Sequence, residues 1–429
     1  MKIRNAEILC VGTEILIGDI VNTNAAYISG KLALLGINQY YQAVVGDNPE
    51  RLEAALRSAL ERADLVIISG GLGPTYDDLT KETAAKCMGR GLYLDERSLA
   101  RIKEIFSFRG RAMTKNNEKQ AMMPEGSTVF DNNAGTAPGC AIEDFERGKI
   151  VIMLPGPPFE LERMFEEAVI PYLQKFTDTR FFSKNINIFG MGESEVESYL
   201  KTIMENASDP TVAPYCGDGE VRLRVTSKGT DEAMCAKKCD DMIAEICHTP
   251  VGKFVYGFDT DLASTVVSEL IKQKKSVATA ESCTGGLIAK RITDVSGSSE
   301  VFGFGAVTYS NEAKIKLLSV LEETLKAYGA VSGQTAMEMA RGARALSGAN
   351  VAISATGIAG PGGGTSEKPV GLVYLGVASE NGVRAVKLLL KGSRDRVRLL
   401  TSQNALAEIL REIGGFPYAN QLRDLSVSS

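Results

Sequence analysis

The sequence predicts two α/β domains joined by a small α+β segment. Three observations carry this. Over roughly the first 170 residues, short apolar runs alternate with amphipathic helical patterns, as in a mainly parallel sheet covered by helices. A stretch of period-2 alternation, EVRLRVTSKG (220–229), breaks that rhythm. From about residue 258 the strand–helix alternation resumes. The expected boundaries are 1–172, 173–257 and 258–416.

In the first domain, AEILCVG (6–12) reads as a strand and NTNAAYISGKLALLG (22–36) as a helix ending at Gly36. YYQAVVG is a strand, and PERLEAALRSALERA (49–63) a helix with Pro49 in its first turn and Asn48 as cap. DLVIISGG (64–71) is a buried strand running into a Gly-rich turn and the helix LTKETAAKCM. KIVIMLPG (149–156) is a further strand, and FELERMFEEAVIPYLQKF a helix. The middle segment reads as strand INIFG, helix ESEVESYLKTIME, the alternating strand and helix DEAMCAKKCDDMIAEIC. In the last domain, TDLASTVVSELIKQKK is a helix, SVATAES a strand, CTGGLIAKRITD a helix and FGFGAVTYS a strand. NEAKIKLLSV opens another helix, and NVAISATG, GLVYLGVAS and VRAVKLLL are strands. SRDRVRLLTSQNALAEILREI closes the domain, with Ser393 as cap and Asp395 near the positive helix end.

Composition narrows the chemistry. The 429 residues hold 48 Lys+Arg, 53 Asp+Glu and one histidine, His248. A His-rich metal site cannot form within one chain, and a Ser-His-Asp or Cys-His triad would have to use His248. A nucleophile elsewhere needs Lys, Tyr or a carboxylate as its base. The net charge of −5 offers no general basic surface for nucleic acid. MKIRNAEILCVG lacks a long apolar leader core, and runs such as LVII and IVIML are strand-sized, so a cytoplasmic protein without membrane contact is expected. The eight cysteines are scattered, as reduced thiols would be. Cys235, Cys239, Cys247 and His248 could pass for a zinc set, but they sit among Met242, Ile243 and Ile246 in an amphipathic pattern and read as buried thiols. GMGE (190–193) has the outline of an RNA-clamping loop in acidic surroundings that disfavour RNA.

GGLGPTYDDLT (70–80) follows a strand and opens a helix. Gly70, Gly71 and Gly73 allow close backbone approach, and the unpaired amides of the helix start suit a phosphate. Asp77 and Asp78 beside such a site suggest a hard divalent cation bridging protein and phosphate. The blander alternative makes both carboxylates helix caps. Other strand-end loops belong at the same sheet edge: Gly12-Thr13-Glu14, Asp47, GTAPG (135–139) and LPGPPFE (154–160). Thr75 of the first loop and Gly135, Thr136, Gly156 and Glu160 of these others are further candidate ligand contacts.

AESCTGG (280–286) places Ser282 and Cys283 at a strand-to-helix turn, with Thr284, Gly285 and Gly286 following. Backbone amides over Cys283–Gly286 could hold an oxyanion. No GxSxG is present. In TYSNEAK (308–314), Tyr309 ends a strand and Lys314 lies in the first helical turn. Lysine serves as a base where burial or positive surroundings lower its pKa. Lys314 lies 32 residues from Ser282, so only the fold could join them. Cys283 competes as nucleophile, and turn serines and solvated lysines are common. A third focus is the loop TGIAGPGGGTSEKPVG (356–371), whose amides together with Thr365 and Lys368 could bind a substrate phosphate, unless it is a mobile surface loop.

Taken together, GGLGPTYDDLT, GTAPG, LPGPPFE, AESCTGG, TYSNEAK and TGIAGPGGGTSEKPVG resemble the full-length CinA family, called competence- and damage-inducible, over nearly the whole chain. The resemblance implies a molybdopterin-binding-like N-terminal domain similar to MoaB and MogA. It implies a KH-type linker domain without RNA-binding character, and a C-terminal nicotinamide mononucleotide deamidase. It implies Ser282 as nucleophile, Lys314 as base and Tyr309 as supporting hydroxyl. Thr356, Gly357, Gly360, Gly363 and Gly364 then join Thr365 and Lys368 around the substrate, and this half needs no cofactor. For the N-terminal half the resemblance implies hydrolysis of ADP-ribose with a divalent metal (Mg or Co) at Asp78 and Asp47, with potassium as an additional monovalent ion. It also implies a homodimer acting on small nucleotides. Two rival classes remain: a nucleotide-binding regulator, and a competence or DNA-damage factor that does not touch DNA directly.

Overall fold

The computed structural model describes residues 1–418 apart from 109, 111, 178, 179 and 218. The chain forms two compact units. One comprises Met1–Phe182 with Lys228–Ala236, the other Ser183–Ser227 with the residues from Lys237 onward.

The first unit is built on β1 (Asn5–Val11), β2 (Asn38–Val45), β3 (Leu65–Ser69), β4 (Leu92–Leu94), β5 (Met122–Pro124), β6 (Thr128–Phe130), β7 (Gly139–Asp144) and β8 (Lys149–Leu154). Six of these make one sheet in the order β2-β1-β3-β8-β7-β6, and β4 and β5 form a separate ribbon. β2, β1, β3 and β8 are mutually parallel. Their carboxyl ends therefore share one edge, where the loops after Val11, Val45, Ser69 and Leu154 emerge. β7 runs antiparallel to β8, which brings the loop before Gly139 to the same edge. The expected convergence of four strand-end motifs follows from this geometry.

Every residue of β3 is buried, as its unbroken apolar run requires. Ile8, Ile67 and Ile152 face the helix Thr23–Leu34 and the segment containing Leu161 and Phe165. Leu9, Val66, Ile68 and Val151 face the helices Pro49–Arg62 and Thr80–Cys87 on the other side. The single helix expected over 159–176 is instead helical over Pro158–Met164, widened into a π-helix over Phe165–Val169, and helical again over Ile170–Leu173. Pro171 explains the widening, because it cannot donate the usual i→i−4 bond.

In the second unit, β9 (Arg180–Phe189), β10 (Thr211–Gly217), β11 (Glu220–Gly229) and β12 (Val255–Phe258) form a sheet in the order β10-β11-β9-β12. β13 (Val277–Glu281), β14 (Phe302–Val307), β15 (Val351–Gly357), β16 (Leu372–Ser379) and β17 (Gly382–Leu389) form another, in the order β14-β13-β15-β16-β17. β13 is parallel to both neighbours, while β15, β16 and β17 are antiparallel in turn. This sheet is mixed because no helix separates its last three strands. His248 sits exposed at the end of the helix Glu232–Cys247, its Nδ1 2.6 Å from the carbonyl of Ala244. Cys235, Cys239 and Cys247 are buried free thiols. Among the described residues no helix is long and apolar enough to cross a membrane.

The helix Gly333–Ser347 lies close on this mixed sheet because its inner face carries Ala336, Ala340 and Ala343. Ser354 Oγ donates to the Ala336 carbonyl at 2.6 Å, and a Cβ on Gly376 would fall 2.1 Å from that oxygen. Gly376→Ala should therefore cost about 1–3 kcal/mol, seen as a lower urea midpoint for this unit.

Candidate active site

β13 ends at Glu281, and the chain turns through Ser282 and Cys283 before the helix Leu287–Thr293. Gly285 and Gly286 hold positive φ, 61° and 92°, so the turn needs glycine there. Glu281 is buried, and its carboxylate accepts the amides of Gly286 at 3.0 Å, Ile288 at 3.1 Å and Ala289 at 2.8 Å. It caps the helix from the strand side and fixes the turn between them. Sequence reading passed over Glu281, although an acid directly before the nucleophile was visible in AESCTGG.

The 32-residue gap between Ser282 and Lys314 is closed by strand pairing. β14 lies beside β13 with Val307 opposite Glu281, so both chains leave the sheet side by side. Ser310 then caps the helix Asn311–Leu318, whose first turn carries Lys314. The Lys314 side chain is fully buried. Its Nζ donates to Ser282 Oγ at 3.1 Å, to the Thr308 carbonyl at 2.9 Å and to the Tyr309 carbonyl at 3.3 Å. Burial pushes the amine below the ordinary lysine range, opposed by Cys283 and Glu312. Burial also pushes the Cys283 thiol up to about 12. Burial thus disfavours a Cys283 thiolate, and of the two side chains only Ser282 is hydrogen-bonded to the amine.

Two expectations are corrected here. Of the four amides over Cys283–Gly286, two are already used: Gly285 N–H donates to the Ser282 carbonyl at 3.1 Å and Gly286 N–H to Glu281. The amides of Cys283 and Thr284 remain without an oxygen partner among the described residues. The Tyr309 hydroxyl does not back up Lys314 either. It accepts from Arg394 Nη2 at 3.1 Å, and only the Tyr309 carbonyl meets the amine.

Arg394 also donates to the Gly360 carbonyl at 2.8 Å, and Arg398 donates to the Thr284 carbonyl at 2.8 Å. Both come from the first turns of the helix Arg394–Glu412. Their spacing of four in SRDRVR was the available signal, and the reading of 393–413 as a closing helix overlooked it. The Gly-dense loop is a built structure. Gly360 is buried with φ 84° and Gly363 shares that φ, while a Cβ on Gly364 would lie 2.8 Å from the Val370 amide. Thr365 Oγ accepts from the Lys368 amide at 3.0 Å, and Lys368 Nζ donates to the Tyr328 carbonyl at 2.7 Å. Thr356 Oγ is bonded to the Ala330 carbonyl at 2.7 Å, and a Cβ on Gly357 would meet Val373 at 2.6 Å. The loop's hydrogen-bonded link to the Ser282–Lys314 region thus runs through Gly360, Arg394 and Tyr309.

At the sheet edge of the first unit, the glycines serve close packing. A Cβ on Gly70 would meet the Val11 carbonyl at 2.2 Å, on Gly71 Thr80 Oγ at 2.2 Å, and on Gly73 Asp78 Oδ2 at 2.4 Å. Asp78 Oδ2 accepts from the Thr75 amide at 2.9 Å and hydroxyl at 2.6 Å, and that hydroxyl also meets Asp77. The Thr75 hydroxyl and Asp77's own amide hold Asp77 below the usual carboxylate range. Asp47 Oδ2 accepts from the amide and hydroxyl of Thr13, each at 2.8 Å. Glu160 leaves no room for a Cβ on Gly135 and accepts from Asn132 at 2.7 Å. Thr136 lines a shallow groove with Gly135 and Arg101, and Gly156 lies against the Cα of Gly70.

No group of three His, Cys, Asp or Glu side chains gathers among the described residues, so these carboxylates make no closed protein cage. They suit instead a hard cation that takes one or two carboxylates and completes its shell with substrate phosphate and water. Asp78 Oδ1 carries no hydrogen bond among the described residues, which leaves it available to such a cation. Two lysines went unnoticed in the sequence. Lys119 Nζ donates to the Thr75 carbonyl at 3.0 Å, and buried Lys81 donates to the Gln120 carbonyl at 2.7 Å, its pKa lowered by desolvation to about 8.

The buried Lys314 amine has a thermodynamic signature. Its folded pKa lies below its unfolded one, so in the window between them the unfolded chain binds more protons and stability rises with pH. Wild type should gain stability relative to Lys314→Met as pH rises toward ~10.4, with a slope of at most about 1.4 kcal/mol per pH unit. Urea denaturation of both proteins across that range gives the difference, and parallel curves would contradict it.

Three family models match the chain: "Probable molybdopterin binding domain" over residues 7–175, "Damage-inducible protein CinA KH domain" over 183–257, and "CinA C-terminal domain" over 259–413. A competence-damage inducible protein of Acetivibrio thermocellus is 50% identical over 95% of this chain and 98% of its own length. A CinA-like protein of Kosmotoga olearia is 49% identical with the same coverage, 95% and 98%. Among solved structures, the competence/damage inducible protein CihA of Agrobacterium tumefaciens is 48% identical over 36% of this chain and 93% of that one, with a TM-score of 0.35. CinA of Thermoplasma acidophilum is 42% identical over 39% and 98%, with a TM-score of 0.37. Matched end to end by relatives at half identity, and by family models in all three of its segments, the chain belongs to the CinA family of competence- and damage-inducible proteins.

Proposed function

We propose that the second unit is an amidohydrolase that converts nicotinamide mononucleotide to nicotinic acid mononucleotide and ammonia. The observation that carries this reading is the buried Lys314 amine 3.1 Å from Ser282 Oγ. Neutral Lys314 takes the Ser282 proton as Oγ attacks the carboxamide carbon. The amides of Cys283 and Thr284 receive the oxyanion. The tetrahedral centre collapses, Lys314 returns the proton to the leaving nitrogen, and ammonia departs. Water, deprotonated by the same amine, then releases the acid from Ser282. The cationic pyridinium ring makes the carboxamide a better electrophile than an ordinary amide. Arg394 and Arg398, beside the 360–368 loop and the Ser282 turn, are the charged partners for the 5′-phosphate. This half needs no metal or cofactor.

For the first unit we propose hydrolysis of the pyrophosphate of ADP-ribose. A divalent cation (Mg or Co) bound by Asp78, with Asp47 as the second carboxylate, would supply Lewis-acid activation there, with potassium as an additional monovalent ion. The chain's own contribution is the Gly70–Thr75 loop and Lys119 around the phosphates. The ties of Asp47 to Thr13 and of Asp78 to Thr75 support a second reading, a regulatory site that binds a nucleotide without cleaving it. AMP release from ADP-ribose, with and without chelator, separates the two. We read the protein as a cytoplasmic homodimer acting on free nucleotides; its net charge of −5 supports a role in competence or damage without direct DNA contact.

Ammonia release from nicotinamide mononucleotide should fall by about 10²–10⁴-fold in Lys314→Ala and at least as far in Ser282→Ala. Because the active form is the neutral amine, kcat should rise with pH and level off below the ordinary lysine range. Full activity in Ser282→Ala would remove the nucleophile assignment.

A further inference from the structure

In the first unit, the helix Thr23–Leu34 begins at the same sheet edge as the Gly-rich loop. Asn24 in its first turn is 9% exposed. Its Nδ2 donates to Ser69 Oγ at 2.9 Å and to the Gly156 carbonyl at 2.7 Å. Ser69 directly precedes Gly70, and Gly156 lies against the Cα of Gly70. Asn24 therefore binds together two of the loops that frame the candidate phosphate site. The carbonyl of Gly156 can only accept, so the atom facing it must be the amide nitrogen, and the orientation of the side chain is fixed. The other end, Oδ1, is buried and has no partner among the described residues.

A buried acceptor left unmade costs about 1–3 kcal/mol. It is retained where something else fills it. The need here is a hydrogen-bond donor, and a bare phosphate offers none at neutral pH. Yet the unmet acceptor stands next to backbone built to receive phosphate. A ligand that satisfies both carries hydroxyls close to its phosphate, which is the chemistry of a sugar phosphate.

We propose that Asn24 is a substrate-binding residue of the first unit, its Oδ1 accepting a ribose hydroxyl of a nucleotide whose phosphates lie on the Gly70–Thr75 loop. This rests on the reading of that loop as the ADP-ribose site. It makes the pocket selective for sugar phosphates over inorganic phosphates.

The test is calorimetric titration of the full chain with ADP-ribose and with inorganic pyrophosphate, each as its non-hydrolysable methylene analogue and with magnesium present, so that the cation proposed to share the phosphates stays in place and neither ligand is turned over. Asn24→Ala should weaken ADP-ribose about tenfold, the equivalent of one hydrogen bond, and leave pyrophosphate within about twofold. Equal loss for both ligands would make Asn24 only a brace between loops and overturn the proposal. No loss for either would mean that a buried water fills Oδ1, and would overturn it too. If Asn24→Ala does not fold, wild type decides alone: deoxyribose analogues of ADP-ribose that all bind as tightly as the parent refute the contact. Wild type that binds no ADP-ribose would refute the nucleotide reading itself, a result distinct from a variant that binds as wild type does.

Discussion

The second unit depends on one constraint: an amine is kept out of water with no carboxylate among its hydrogen-bond partners. Lys314 is buried, and its three hydrogen bonds go to a hydroxyl and two carbonyls. What favours the base form is lost hydration: burial costs the ammonium more than the neutral amine, whose two N–H bonds can serve the carbonyls while its lone pair accepts the Ser282 hydroxyl. Glu312 in the same helical turn opposes the shift, and a second acid, Glu281, stands one residue before Ser282. Its carboxylate is spent instead on three amides of the following helix. That capping does two things at once. It settles the charge of a buried acid, and it keeps that charge from pairing with Lys314, which would raise the amine's pKa. Strand pairing of β13 with β14 then brings Ser282 and Lys314 together.

The first unit solves a different problem with different means. Its candidate site is backbone held at close quarters, with glycines at the points where a Cβ would strike a carbonyl or a side chain. Parallel pairing of four strands puts their loops on one edge, and threonines hold the acids in place: Thr13 holds Asp47 and Thr75 holds Asp78. The acids are oriented rather than gathered. That suits a ligand that brings its own charge, since a cation can be shared between one fixed oxygen and the ligand's phosphates.

Much of this was legible in the sequence because periodicity reports burial directly. The unbroken run of β3 and the caps Asn48 and Ser393 all act as their residue types require. The pairing of Ser282 with Lys314 had no local signature, since it comes from strand register. The roles of Glu281, Arg394 and Asn24 were illegible for a related reason: each is defined by a partner distant in sequence or by a missing partner, and residue type alone carries neither. Tyr309 misled because its carbonyl, which every residue possesses, makes the contact expected of its hydroxyl. The π-helix at Phe165–Val169 had a readable cause in Pro171, but Pro in a helical pattern signals a break more often than a widening.

The two arginines show how the proposed deamidase can bind phosphate without a large ordering cost. Arg394 and Arg398 rise from the capped start of one helix, whose far end is fixed by Arg384 bonding Glu408 and Glu412. Both guanidinium groups are already oriented, Arg394 by Tyr309 and Gly360, Arg398 by the Thr284 carbonyl. Their acceptors are neutral oxygens. A phosphate arriving there replaces or joins neutral acceptors with charged ones, which is a gain for each bond. The side chains lose little further freedom, so more of that gain remains as affinity. Arg398 also grips the carbonyl of Thr284, whose amide the proposed mechanism uses for the oxyanion, so in that proposal one side chain would meet the phosphate and steady the turn at the reacting end.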